Sequence, residues 1–343
     1  MKKVNWGIVG LGNIALEFAS SFKNINNGQL VSIASKDQNK IRSFKEKFKI
    51  KNELCFNNYE DLLNSKEVEA VYIALPNSLH YYWVINCIKK SKRILVEKPA
   101  TLNMQEMQKI EKELSGKNLF FAEAFMYRYL PQIKTIIELI KDDRIGNIIS
   151  MESVFGKNIM TKKNLFGFKK KKKINLENRL FSKSLGGGAI LDLGCYPVSF
   201  SLLVASLLPN VDIENVKIIN KKKEMGNTNV DIEGSIILDF SNKFKCELKT
   251  SFKNNLGKKT TIYGEKGHIT IEDTWHGKTL SIRFTSNADN EKEIKIESNK
   301  SSYECQLEEI NYLISQGKSE VNFPGMKINE TLLNMKILDA WRS

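Results

Sequence analysis

Gly10-Leu11-Gly12-Asn13-Ile14-Ala15 follows directly on the apolar run Val4 to Val9. Glycines at this spacing permit a tight turn and close approach of backbone to a pyrophosphate. The helix that begins there offers its unsatisfied N–H groups to the anion. The chemistry in view is dinucleotide binding, with Gly10, Gly12, Asn13 and Ile14 as contacts. A second group is Ile94-Leu95-Val96-Glu97-Lys98-Pro99, a short apolar strand ending in a carboxylate, an amine and a backbone-restricting proline. Ligands of such sheets lie outside the carboxyl ends of the strands, so Lys98 turns a cofactor fold into a candidate enzyme, and Glu97 and Lys98 are expected at the cofactor.

The elements that must position these residues follow from periodicity. Short apolar strands alternate with amphipathic stretches through the first third of the chain, the pattern of a parallel βα sheet. The strands are expected at Val4 to Val9, Leu30 to Ala34, Ala70 to Leu75, Arg93 to Val96 and Leu119 to Ala122. Helices are expected at Ala15 to Phe22, Lys40 to Phe48, Tyr59 to Asn64, Leu79 to Lys90 and Met104 to Leu114. Right-handed winding then puts Gly10 to Ala15, Ser35, Pro76 to His80 and Glu97 to Pro99 along one edge, where they can share one ligand.

Beyond residue 125 the pattern changes. Helices are expected at Ile133 to Lys141 and from Gly188 to about Leu208, and a strand at Ile148 to Phe155. Seven closely spaced strands from Val216 to Ile296 follow, then helices at Ser302 to Gln316 and Asn329 to Trp341. Strands without intervening helices read as an antiparallel sheet. The expected architecture is α/β: a doubly wound parallel sheet of the Rossmann type over residues 1–124, then an α+β domain with a large, mostly antiparallel sheet over 125–343. The C-terminal helix is free to pack back on the first domain. Asp231 to Phe240 carries Ile232, Ile236, Ile237, Leu238 and Phe240, which reads as a strand apolar on both faces. A sheet with an apolar outer face needs a partner, so a homodimer is expected.

Composition narrows the function classes. The 343 residues exceed what one core usually supports, which suggests two domains. A net charge of +14 is spread along the whole length with no aromatic-interleaved basic module, so nucleic acid is not expected as a partner. Lys169 to Lys173 reads as a solvated loop, because five adjacent like charges repel one another. The five cysteines are scattered, and the three histidines (His80, His268, His276) have no metal-ligand spacing, so neither a disulfide framework nor a metal is expected. No leader or membrane-spanning run is recognised, and the expected location is the cytoplasm.

Two more segments extend the list of motifs: Ala122-Glu123-Ala124-Phe125-Met126-Tyr127-Arg128-Tyr129, and Gly186-Gly187-Gly188-Ala189-Ile190-Leu191-Asp192-Leu193-Gly194-Cys195-Tyr196-Pro197-Val198. Together with the N-terminal fingerprint and Glu97-Lys98-Pro99, they make the chain resemble the glucose-fructose oxidoreductase, inositol dehydrogenase and rhizopine-catabolism (Gfo/Idh/MocA) family over nearly its whole length. It is most similar to the branch of dihydrodiol dehydrogenases and NADP-dependent D-xylose dehydrogenases, with Phe155-Gly156-Lys157-Asn158 and Arg179-Leu180-Phe181 adding to the likeness. The resemblance implies that Tyr196 is the acid/base exchanging a proton with the substrate oxygen during hydride transfer. It implies that Lys98 is its electrostatic partner, that Asp192 positions substrate or lysine, and that Arg128 and Phe155 meet the substrate. Pro76, Asn77 and His80 resemble the family loop beside the nicotinamide ribose, although a helix cap from Asn77 or Ser78 explains that segment equally well. A tyrosine of pKa about 10 needs a depression of roughly 3 units to act near pH 7, and an ammonium ~4 Å away supplies about that much. Asp192 lies four residues before Tyr196, so both can face one cleft.

Cofactor choice is read at the end of the second strand, Ala34-Ser35-Lys36-Asp37. Ser35 stands where an NAD-type fold places its ribose-binding acid, and Lys36 and Lys40 follow, which favours NADP(H). A shift of one residue would make Asp37 the ribose ligand, which leaves NAD(H) possible. The expected activity is interconversion of a secondary alcohol and a carbonyl on a sugar or cyclic polyol. Two alternatives are a nucleotide-sugar oxidoreductase, whose substrate contacts would come from the basic loop 157–183, and a dinucleotide-binding sensor without catalysis.

Overall fold

In this computed structural model, residues 3–163, 169–172, 175, 177–277, 281–286 and 289–343 are described, and the chain divides into two compact units. The first comprises Met1–Leu130 and Lys300–Leu332. Its strands are β1 (Val4–Val9), β2 (Gly28–Ala34), β3 (Cys55–Phe56), β4 (Ala70–Ile73), β5 (Arg93–Val96) and β6 (Phe121–Glu123). They alternate with α1 (Asn13–Ser21), α2 (Gln38–Phe48), α3 (Tyr59–Asn64), α4 (His80–Lys89) and α5 (Met104–Leu114). All pairings are parallel and the order is β3-β2-β1-β4-β5-β6. The order reverses between β1 and β4, and the crevice at such a switch point is where a doubly wound sheet binds its ligand. β4 and most of β1 and β5 are buried, as expected of a sheet covered on both faces. Phe18 of α1 seats that helix on the sheet, its ring 3.7 Å from that of Tyr72 and 5.7 Å from that of Trp6. The edge strand β3, only two residues long, carries too little alternation to be read from sequence.

The second unit comprises Pro131–Asn299 and Leu333–Ser343. It opens with α6 (Pro131–Lys141) and β7 (Ile148–Gly156). A small antiparallel pair of β8 (Thr161–Lys163) and β9 (Lys169–Lys171) lies in the stretch that reads as a basic loop, of which Lys173 lies outside the described residues. A single π-turn, Ile190–Gly194, then runs into α7 (Cys195–Ala205), in which every residue is buried. Lys183–Ala205 is long and apolar enough to cross a membrane, yet its apolar window is 94% buried in the protein, so it is a core segment. The strands β10 (Val216–Met225), β11 (Asp231–Phe240), β12 (Phe244–Ser251), β13 (Thr260–Gly264), β14 (Gly267–Ile271), β15 (Ser281–Ser286) and β16 (Asp289–Lys295) complete the sheet. Its order is β10-β11-β12-β7-β13-β14-β15-β16, antiparallel throughout except for β12 with β7.

β11 corrects the sequence reading of a strand apolar on both faces. Ile232, Ile236, Leu238 and Phe240 are buried, whereas Glu233, Ser235 and Ile237 alternate with them and are partly exposed. Period two puts four of the five apolar residues on one face and leaves only Ile237 on the other. On β12 the exposed positions are Lys245 and Lys249, so this second face is largely polar.

Lys300–Leu332 belongs with the first unit, and the division after Leu130 falls six residues beyond the 124/125 boundary read from sequence. The cause is α8 (Ser302–Ser315), opened by a capping box of Ser301 and Glu304, which buries Leu307, Ile310, Leu313 and Ile314. Trp6 Nε1 of β1 donates to Asn311 Oδ1 at 2.7 Å, and Asn27 Nδ2 donates to the Glu308 carbonyl at 2.8 Å. The boundary near the C-terminus falls inside α9 (Ile328–Arg342).

Candidate active site

The phosphate-loop geometry is that of a dinucleotide fold. Gly10 has φ +89°, and a Cβ there would lie 2.5 Å from the Ala74 carbonyl oxygen, so only glycine fits between β1 and β4. Gly12 is the N-cap of α1 and provides no side-chain cap, and a Cβ on it would meet nothing within 4 Å. The first turn of α1 therefore presents backbone N–H groups to open space, with Asn13 exposed and Ile14 half-buried beside it. These residues fit a pyrophosphate.

At the end of β2, Ser35 is buried and its Oγ accepts from the Asp37 N–H at 3.1 Å. Asp37 Oδ1 accepts from the N–H groups of Asn39 and Lys40 at 3.0 and 3.2 Å, capping α2. The acidic side chain that follows β2 is thus engaged in a cap, while Lys36 and Lys40 are exposed.

Lys98 is half-buried one residue beyond Glu97, and the Lys98–Pro99 peptide is cis. Glu97 is buried and its Oε1 accepts a short hydrogen bond from the Tyr72 hydroxyl, so its side chain braces the sheet edge. His80 is likewise fully buried, with Nδ1 at 2.8 Å from the Pro99 carbonyl and Nε2 at 2.8 Å from the Leu75 carbonyl. Its side chain thus lies between two loops of the unit. Pro76 and Asn77 lead into α4 through a short 3-10 turn, with Asn77 buried.

The second unit sets Asp192, Tyr196 and Phe155 together. The glycines before Asp192 clear space for neighbouring protein atoms: a Cβ on Gly187 would lie 2.6 Å from the Arg179 and Leu180 carbonyls, and one on Gly188, at φ +124°, would lie 2.5 Å from Asp231 Oδ1. Asp231 Oδ2 in turn accepts from the Ile190 N–H at 2.6 Å, and Thr250 Oγ1 donates to the Ala189 carbonyl at 3.2 Å. The segment carrying Asp192 is anchored at its start from two strands, and the π-turn there is a feature that recurs at functional sites. Arg179 Nη1 lies 3.1 Å from Asp192 Oδ1.

Tyr196 is 5% exposed, with its ring held edge-on by Phe155 at 5.3 Å and tilted against Trp275 at 5.6 Å. Phe155 stacks on Trp275 at 6.0 Å and meets the His276 ring at 5.8 Å. His276 N in turn donates to Asp273, whose burial works against ionisation but is outweighed by hydrogen bonds from His276 and Lys258, which hold the carboxyl at about 2. The arrangement is a tyrosine hydroxyl in an aromatic frame, with a carboxylate one turn before it.

Arg128 is a residue expected from the sequence to meet the substrate. Its side chain is fully buried, and Nη1 is 3.0 Å from Glu330 Oε1 and 3.2 Å from the Pro324 carbonyl, a structural pair inside the first unit. Conversely, Asp231 and His276 are not among the site residues expected from sequence, where Trp275 reads as a packing residue and a minor candidate for a substrate wall. Nothing local marks them, since the partner of Asp231 lies 41 residues away.

Residues 4–125 match the model of an oxidoreductase family with an NAD-binding Rossmann fold, and residues 133–270 match the GFO/IDH/MocA C-terminal domain. The chain is 28% identical over 280 residues to the trans-1,2-dihydrobenzene-1,2-diol dehydrogenase of Xenopus tropicalis, covering 81% of this chain and 78% of that one. It is 24% identical over 270 residues to the enzyme of the same name from Homo sapiens, covering 78% and 74%. Among solved structures, a 3-ketoreductase from Actinomadura kijaniata in complex with NADP and TDP-benzene superposes with a TM-score of 0.83 at 19% identity, covering 99% of this chain and 97% of that one. An aldose-aldose oxidoreductase from Caulobacter crescentus, complexed with glycerol, gives 0.84 at 17% identity, covering 99% and 96%. At these identities the structural likeness speaks for the fold, and the two family models, which span most of the sequence, show that the chain belongs to the Gfo/Idh/MocA family of oxidoreductases.

Proposed function

We propose that the protein is an NADP(H)-dependent oxidoreductase interconverting a secondary alcohol and a carbonyl on a sugar or cyclic polyol. The observation that carries this reading is Tyr196, framed by Phe155 and Trp275 with Asp192 one turn before it, in a chain whose first unit carries the dinucleotide loop and Lys98. A bound nicotinamide cofactor supplies or accepts the hydride. Tyr196 exchanges the proton at the substrate oxygen. Lys98 contributes an ammonium charge that favours the tyrosinate and so lets the hydroxyl work near neutral pH. Asp192 orients a substrate hydroxyl, and the aromatic frame excludes water and offers ring faces to the C–H groups of a sugar.

Exposed Lys36 and Lys40 beside a capping Asp37 support NADP(H), because two cations are available to a 2'-phosphate and the nearby carboxylate is already engaged. A cytoplasmic homodimer belongs to the same proposal, and light scattering at micromolar concentration tests the dimer. A nucleotide-sugar substrate is the second reading, favoured by the fold shared with the 3-ketoreductase solved with TDP-benzene.

The test is turnover with NADP+ or NADPH on a panel of aldoses, inositols, trans-1,2-dihydrobenzene-1,2-diol and TDP-hexoses, alongside a thermal-shift screen of the same compounds. Saturable turnover of a sugar or polyol is expected. Reduction of TDP-hexoses alone would move the assignment to the second reading, and cofactor binding without turnover of any of them would favour a sensor.

A further inference from the structure

The backbone on both sides of Lys98 is held from elsewhere in the first unit, by a backbone bond before it and by two side chains after it. Before it, Glu97 N donates to the Ile73 carbonyl at 3.0 Å, the last rung of the sheet. After it, the Pro99 carbonyl receives His80 Nδ1 at 2.8 Å, and Ala100 N donates to Glu123 Oε1 at 2.9 Å. His80 opens α4 and Glu123 ends β6, and the two are 0% and 2% exposed. His80 Nε2 also reaches the Leu75 carbonyl, so the same ring connects the loop after β4 to the lysine segment.

An apolar filler would occupy this space at less cost, since burial pushes the Glu123 carboxyl up to about 7. What the polar side chains add is direction. Each fixes one peptide group of the loop, and at a reacting centre a misplacement of about 1 Å can cost on the order of 100-fold in rate. Resting on the reading of Lys98 as the partner of the catalytic tyrosine, we propose that His80 and Glu123 are positioning residues for Lys98, holding the Pro99 carbonyl and the Ala100 amide so that the lysine side chain leaves the sheet edge in one direction. Neither touches cofactor or substrate in this scheme. Both act through the peptide groups that follow the lysine.

The experiment compares Glu123→Ala, Glu123→Gln, His80→Ala and Lys98→Met in the full-length protein. Three readouts are taken: NADPH affinity, amide hydrogen exchange at Ala100, and the rate of Lys98 acetylation by acetic anhydride followed by mass spectrometry, with kcat and KM added for the panel compound that is turned over. In Glu123→Ala, exchange at Ala100 should quicken at least 100-fold and Lys98 reactivity should change several-fold. kcat should fall about 10- to 100-fold while KM and NADPH affinity move less than threefold. His80→Ala should alter Lys98 reactivity and kcat in the same way, and Glu123→Gln, which keeps an acceptor for Ala100, should recover at least tenfold of the alanine loss. Unchanged Lys98 reactivity, or kcat within threefold of wild type, in Glu123→Ala and His80→Ala would overturn the proposal, as would failure of glutamine to rescue. If the alanine variants lose NADPH binding altogether, Glu123→Asp, which withdraws the acceptor by about one bond length, takes their place and should show the same change in reactivity; wild-type reactivity there refutes the proposal. Lys98→Met separates the two levels: if it turns over normally the reading of Lys98 fails, whereas an impaired Lys98→Met beside fully active His80 and Glu123 variants defeats only the positioning role.

Discussion

Arg179 Nη1 stands 3.1 Å from Asp192 Oδ1, with the arginine side chain 48% exposed and the aspartate 12%. The pair links the segment before the glycine run to the turn that leads into the helix of the tyrosine, and it leaves most of the guanidinium donors available to solvent. An ion pair with one half-exposed partner contributes little to stability, about 0 to 1 kcal/mol. Arg179→Ala should therefore leave the melting temperature within a few degrees of wild type. It should lower kcat/KM about tenfold, because Asp192 loses the contact that orients it. Steady-state kinetics beside thermal unfolding checks this, and a variant with full kcat/KM would show that Asp192 needs no such partner.

Tyr196→Phe keeps the ring that packs on Phe155 and Trp275 and removes only the transferable proton. The expected loss is in kcat, on the order of 10²- to 10⁴-fold, with NADPH affinity and folding retained. Lys98→Met should do comparable harm and move the rising limb of the pH-rate profile upward, since the tyrosine loses the charge that favours its ionised form. Near-normal turnover of Tyr196→Phe on a panel substrate would remove the tyrosine from the role of proton donor. The fully buried ring of His80, set on two carbonyls, makes it a poor replacement in that case.

Glu123 links the site to stability. Its carboxyl is raised by burial from an ordinary 4.5 to about 7, so the folded protein holds this proton more tightly than the unfolded chain does. The resulting stabilisation is complete below about pH 4.5 and is lost as pH rises to 7, a difference of about 3 kcal/mol for a group this buried. Glu123→Gln removes the titration. The stability difference between variant and wild type should therefore shift in the variant's favour between pH 5 and pH 8, as read by denaturant unfolding at each pH. Parallel pH profiles for the two proteins would contradict the argument.

NADPH should bind more tightly than NADH, and replacing Lys36 and Lys40 together by alanine should narrow that difference by about tenfold or more without weakening NADH. Asp37→Ala should cost about 1 kcal/mol of stability through the lost cap on α2, with little effect on cofactor choice. Fluorescence titration with both nucleotides decides the first point, and equal affinities in the wild type would reverse it.

Arg128→Met leaves the Glu330 carboxylate buried without its cation. The expected cost is about 3 to 5 kcal/mol of stability, the range for breaking a buried pair from one side. Equilibrium unfolding measures it. A variant of normal stability but raised KM would support the substrate contact expected from the sequence.

The parallel sheet was legible in the sequence because its signals are local. The fingerprint sits on a strand followed by a helix, β4 and the last three residues of β5 are continuous apolar runs where both faces are covered, and the boundaries of α3 and α5 agree to the residue. The place of Lys98 at a carboxyl edge follows from winding alone, whereas the π-turn that carries Asp192 into α7 is not read from helical periodicity. What tertiary structure alone decided are the partnerships across long separations. Glu123 meets Ala100 and Asp231 meets Ile190; Arg128 pairs with Glu330, and Asn311 secures α8 to β1. Each depends on which strands and helices become neighbours, information that no window of adjacent residues contains. The face of β11 was misread for the same reason: its five apolar residues look like two buried sides when counted, and only the pleat assigns four of them to the core and leaves Ile237 outside.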